Sequence, residues 1–147
     1  MLFAADAERR IDEAYVNTRK IKVTYKHFLV VDPNGESNWA AQATECANEQ
    51  SKFWDYHNKL VAESPGGRNS LTKANLKKYA ADIQLDAAKF SACLDSSKYG
   101  SAIQADIAEA QRLGLDSTPT FILNGRKLTV TSMDFAEFAR IFDTLLK

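Results

Sequence analysis

DSTPTFILNGRKLTV, residues 116–130, holds two apolar runs on either side of Asn124-Gly125. Asn-Gly between apolar runs is a strong short-range hairpin signal, because both residues accept the positive φ that a type I′ turn demands. The stretch therefore predicts strand, tight turn, strand. Pro119 stands at the mouth of the first strand, where it has no N–H to give to a ladder. The Thr118-Pro119 bond is a candidate for the cis isomer, yet only about 5–6% of X-Pro bonds in folded proteins are cis. On propensity alone the trans, edge-strand reading wins.

Outward from the hairpin the pattern is helical. Downstream, Thr131 or Ser132 is expected to cap a closing helix with Asp134 and Glu137 in its first turns. Its apolar stripe is Phe135, Phe138, Ala139, Phe142, Leu145 and Leu146, which must pack on a sheet. Upstream, Tyr99, Ala102, Ile103, Asp106, Ile107, Ala110 and Leu113 share one side of a helix that stops at Gly114, with Asp106 at the stripe's edge. Thr72 and Asp86 are placed to cap two earlier helices, in which Leu76 packs back on Leu71 and Phe90 on Leu85. Trp39, Ala43, Cys46, Ala47, Phe53, Trp54, His57 and Leu60 predict one long helix or two broken ones, ended by the loop Ser64-Pro65-Gly66-Gly67. No strand is expected between Ser37 and Gly114.

Ile21, Val23, Tyr25 and His27 alternate with Lys22, Thr24 and Lys26, so residues 21–31 are predicted as a strand, closed by the turn Asp32-Pro33-Asn34-Gly35. The first helix carries Phe3, Ala7, Ile11 and Ala14 or Tyr15 at helical spacing and runs to about Asn17. It begins with no cap or loop in front of it, and missing upstream sequence is expected. No apolar h-region of a signal peptide is present.

A chain of 147 residues has the size of one domain. Its 19 basic and 19 acidic side chains cancel, which removes the electrostatic footprint of a nucleic-acid binder. With 26% charged residues and no long apolar run, membrane insertion is not expected. Neither a G-x-S-x-G elbow nor a phosphate-cradling glycine loop occurs, and no ligand set has zinc spacing, so no cofactor or metal is expected.

Cys46 and Cys93 each lie on the apolar face of a helix. Buried free thiols and a disulfide joining the two helices both fit that placement; the disulfide is favoured, and both stand ahead of a catalytic pair. In the loop-entropy view, a link of this span stabilises by about 4 kcal/mol. His27 and His57 read as satisfied core histidines, and Trp39, Phe53, Trp54 and Tyr56 as core aromatics.

STPTFILNGRKL, following a helix that ends RLGL and preceding a Phe-rich C-terminal helix, resembles the cis-proline segment of the DsbA-like thiol:disulfide oxidoreductases of the thioredoxin superfamily. ECANEQSKFWDYHNKL, residues 45–60, and LKKYAADIQLDAAKFSACLDSSKY, residues 76–99, resemble the helical insertion of that branch. YKHF, residues 25–28, resembles the end of the strand before it. The resemblance covers nearly the whole chain. It implies an α/β, thioredoxin-like fold in a single domain over residues 1–147, with the helical insertion at approximately residues 37–114.

The resemblance also implies that Pro119 is the cis-proline and that the backbone of Thr118 hydrogen-bonds an extended substrate as a short added strand. Cys46 and Cys93 match the second, non-catalytic cysteine pair found in part of the family. The implied partners are extended or unfolded protein substrates and a redox partner protein, in an extracytoplasmic setting, periplasmic or cell-envelope.

One departure is sharp. The family's chemistry belongs to a C-x-x-C motif at the N-terminus of the first helix, where dipole and neighbours lower the leading thiol's pKa. This sequence has no such motif, and Met1-Leu2-Phe3 resembles the stretch just after it. The expectation is an N-terminally truncated chain that lacks the first strand and any catalytic residue and does not catalyse dithiol exchange. The absent strand would lie between residues 21–31 and 120–123, leaving edges to be covered by closing the gap or by a homodimer through it. The alternative is a non-catalytic peptide-binding or chaperone-like thioredoxin-fold module. A glutathione-dependent enzyme of the same fold is disfavoured by the second cysteine pair.

Overall fold

The computed structural model describes residues 6–63 and 69–146. The expected helix start at Phe3 and the loop Ser64-Pro65-Gly66-Gly67 lie outside them. The chain divides into two compact units, Met1–Tyr25 with Pro119–Lys147, and Lys26–Thr118.

In the first unit, α1 (Glu8–Ile11) runs on through a π-helical turn, Asp12–Val16. The helix closes where Arg19 takes a left-handed φ of 59° and Lys20 N–H donates to the Tyr15 carbonyl at 2.9 Å. The hairpin forms as its sequence predicts. Strands β1 (Ile122–Leu123) and β2 (Arg126–Lys127) pair antiparallel, with Ile122 opposite Lys127 and Leu123 opposite Arg126. Asn124 and Gly125 both have positive φ, 50° and 79°, as a type I′ turn requires.

The closing helix is α7 (Phe135–Leu145), and its cap is neither Thr131 nor Ser132 but Asp134, whose carboxylate accepts the Glu137 N–H at 3.0 Å. The two hydroxyls serve carboxylates instead. Ser132 Oγ donates to Asp134, and Thr131 gives its N–H and its hydroxyl to Glu137. A charged acceptor at the helix start satisfies free N–H groups and meets the positive end of the dipole, which explains the choice. Tyr15, Phe138 and Phe142 form the core of this unit with Ile11, and Phe121, Leu123 and Val130 pack against it. Phe121 meets Phe138 edge-on at 4.8 Å, and Tyr15 meets Phe142 at 5.1 Å. The expected stripe stops short, since Leu145 and Leu146 are exposed.

The second unit is helical: α2 (Glu36–Asn48), α3 (Phe53–Glu63), α4 (Lys73–Asp82), α5 (Ala87–Asp95) and α6 (Gly100–Arg112). The long helical pattern is broken into α2 and α3, where Ser51 takes φ 58° and Lys52 N–H reaches the Ala47 carbonyl at 3.0 Å. Thr72 and Asp86 cap α4 and α5 by accepting the N–H groups of Asn75 and Lys89. Leu85 and Phe90 share a core with Leu76, Tyr56, Leu94, Cys46 and Cys93, and Leu71 packs against it. Gly114, at φ 66°, ends α6 in a Schellman turn, with Leu115 N–H on the Ala110 carbonyl at 3.0 Å. Trp54 departs from the core reading, being 39% exposed.

The predicted strand over residues 21–31 is corrected: it belongs to no ladder among the described residues. Alternation fits a strand but does not supply its partner, and here the His27 N–H is satisfied by a side chain, Asp106 Oδ2 at 3.0 Å. Val23, Tyr25, Val30 and Val31 consequently stand exposed.

Candidate functional site

Beyond the Gly114 turn, residues 115–119 lead from α6 towards β1. Thr118 and Pro119 are both exposed, and the boundary between the two units falls on the bond joining them. Ser117 donates its hydroxyl to Asp116 Oδ1 at 3.1 Å. Among the described residues, neither the N–H nor the C=O of Thr118 has a hydrogen-bond partner. Pro119 explains part of this, because a residue with no N–H ends a ladder where it stands. Thr118 is thus an exposed residue whose N–H and C=O make no hydrogen bond among the described residues.

Cys46 and Cys93 are joined in a disulfide between α2 and α5, with Cα atoms 5.8 Å apart, and no free cysteine remains. At 1% and 6% exposure they are part of the helical core, a cluster to which Thr118 and Pro119 do not belong. Since these are the two cysteines of the sequence, residues 1–147 contain no C-x-x-C.

Both histidines are buried, and the pattern placed them correctly. His27 Nε2 lies 3.0 Å from Glu45 Oε1. The Phe53 ring lies 6.3 Å from the His27 ring and stacks on His57 at 6.2 Å. Burial pulls the His57 imidazole below its ordinary value, opposed by Asn58 and reinforced by His27. Asp106 does more than edge a stripe: besides the His27 peptide it holds Lys26 Nζ at 2.8 Å. The sequence reading missed Glu45, which stands 18 residues from His27 on another element, where no periodicity reports it. It missed Glu8 as well, whose carboxyl is pushed up to about 7, by burial first and by Asp12 second. The spacing held a signal there, since Glu8 and Asp12 are like charges four residues apart on a helix. Among the described residues no cluster of three or more His, Cys, Asp or Glu is disposed to hold a metal ion.

Comparison with known proteins places this geometry in context. A family model described as Thioredoxin matches residues 2–144. The chain is 30% identical over 125 residues to Na(+)/H(+) antiporter NhaA 3 of Salinispora tropica, covering 85% of this chain and 19% of that protein. It is 35% identical over 89 residues to Na(+)/H(+) antiporter NhaA of Herminiimonas arsenicoxydans, 60% of this chain and 14% of that protein. Over 152 residues it is 23% identical to Disulfide bond formation protein D of Bacillus subtilis, covering 99% of this chain and 65% of that protein. The chain thus spans less than a fifth of these antiporter-named relatives. The crystal structure of oxidised BdbD from Bacillus subtilis matches with a TM-score of 0.85 at 21% identity, covering 99% of this chain and 79% of that one. No helix of the described residues is long and apolar enough to cross a membrane.

Proposed function

The chain belongs to the thioredoxin family, and on that footing we propose that the whole protein catalyses dithiol–disulfide exchange on extended protein chains, with residues 1–147 supplying the surface that holds the substrate. Its fold is thioredoxin-like, and the relative named Disulfide bond formation protein D supports the chemistry. The observation that carries the reading is the exposed, unpaired peptide of Thr118 immediately before Pro119.

An extended peptide pairs with the Thr118 N–H and C=O as a short added strand, with Pro119 in the cis isomer keeping that peptide out of the chain's own ladder. The exchange itself requires a C-x-x-C dithiol, which is not among residues 1–147, so these residues orient the substrate disulfide and do not attack it. A redox partner protein then resets the dithiol, with no cofactor. The setting is extracytoplasmic, in the periplasm or cell envelope, which the Cys46–Cys93 link supports, because disulfides persist in oxidising compartments.

Fluorescence anisotropy with a labelled, cysteine-free unfolded peptide tests the surface. Pro119→Ala is expected to weaken binding about tenfold, roughly 1.4 kcal/mol, while the unfolding midpoint stays in place. Equal affinity for the two proteins would remove Thr118-Pro119 from the site. A second reading, a peptide-binding module with no redox step, is favoured by relatives of which this chain is less than a fifth and whose names describe another activity. In that case binding persists while the whole protein shows no exchange.

A further inference from the structure

We propose that the Cys46–Cys93 disulfide is held out of thiol exchange by its place at two helix C-termini and by Glu49, which acts as an electrostatic guard over Cys93. Cys46 lies in the last turn of α2, which ends at Asn48, and Cys93 in the last turn of α5, which ends at Asp95. A thiol that must become a thiolate is favoured at a helix N-terminus; a C-terminus carries partial negative charge and disfavours the anion. Glu49, the residue after α2, brings Oε1 to 3.9 Å from Cys93 Sγ. The same oxygen accepts the Tyr99 hydroxyl at 2.7 Å and pairs with Lys98. Lys98, then Tyr99, keep the Glu49 carboxyl below the usual carboxylate range, so it stays charged.

Exchange begins when a thiolate of an external dithiol attacks one sulfur. A mixed disulfide forms, the Cys46–Cys93 bond breaks, and its electron pair leaves on the other cysteine as a thiolate. The reagent's second thiol then closes a cyclic disulfide, expelling the remaining cysteine; two electrons have passed to the protein, and solvent protonates both sulfurs. Attack at Cys46 expels the Cys93 thiolate against the Glu49 carboxylate. Attack at Cys93 expels the Cys46 thiolate into an apolar cluster beside Ala43 and Ala47. Either way the departing thiolate meets a carboxylate or an apolar environment that disfavours the anion, which slows exchange. The usefulness of this rests on the activity proposed above, because an oxidoreductase whose second disulfide exchanged freely would divert electrons from its substrates. The chemistry at the sulfurs does not rest on it.

The test is the rate at which dithiothreitol reduces this disulfide in the folded full chain, read by alkylation of Cys46 and Cys93 and mass spectrometry. Glu49→Gln removes the charge and keeps an acceptor for Tyr99; it should speed reduction on the order of threefold, because a departing thiolate no longer faces a carboxylate. Lys98→Gln breaks the same ion pair but leaves the carboxylate less screened, and should slow reduction. A purely structural ion pair would make both substitutions speed it by loosening the fold. That outcome, or a Glu49→Gln rate equal to the parent's, overturns the proposal. Dithiothreitol is the reductant throughout, so neither result depends on turnover of a protein substrate.

Discussion

Glu8 shows how far one residue's environment can be turned into a measurable slope. Its carboxyl is raised from an ordinary 4.5 to about 7, by burial and then by Asp12, so the folded chain binds this proton more tightly than the unfolded chain does. The stability it contributes is complete below pH 4.5 and is lost as pH rises through 7. Glu8→Gln should therefore unfold at higher denaturant concentration than the parent at pH 8 and flatten the decline between pH 5 and 8. A parent and variant with parallel profiles would contradict this. His57 runs the other way: its burial lowers the imidazole, so its contribution is complete above 6.5 and is lost as pH falls through the lowered value. Residue type made some of the site legible: two cysteines leave one possible pairing, and Pro119 is conspicuous before a strand. Glu45 gave no signal and Asp106 only that of a stripe's edge, because what they touch, His27, lies 18 and 79 residues away.

At the scale of elements, local chemistry was readable and long-range pairing was not. The Asn124-Gly125 hairpin, the caps at Thr72 and Asp86 and the stop at Gly114 depend on a few neighbouring residues, and each formed. Residues 21–31 have the alternation of a strand, but a ladder is made by a partner, and the described residues offer none. Ser51, Gln84 and Ser97 end α2, α4 and α5 in the left-handed region that glycine usually fills, so those boundaries carried no glycine signal. Gly35 is a turn residue with a specific steric reason. A Cβ there would run into Asp32 Oδ2, the oxygen that accepts the Glu36 N–H at 2.7 Å and so caps the start of α2. Gly35→Ala should displace that carboxylate and cost about 1 kcal/mol, the usual loss of a cap, in chemical denaturation. An unchanged midpoint would mean that α2 does not depend on Asp32.

At the scale of the whole molecule, the thioredoxin-like fold was legible because the hairpin, the helical block and the closing helix occur in one order, although each motif alone is weak. What the chain holds in its thiols is a structural link: in the loop-entropy view the Cys46–Cys93 bond, spanning 47 residues, stabilises the helical unit by about 4 kcal/mol. Its sulfurs sit near the C-terminal ends of two helices, the wrong ends for a reactive thiolate, while Thr118, the residue proposed to hold a substrate, is exposed. The proposed division of labour, with residues 1–147 holding the substrate and a C-x-x-C dithiol outside them carrying out the exchange, is tested most directly by insulin reduction with dithiothreitol in the presence of residues 1–147. Turnover at the uncatalysed background rate, with the Cys46–Cys93 bond intact, is the predicted result; turnover comparable to an intact member of the family would contradict it.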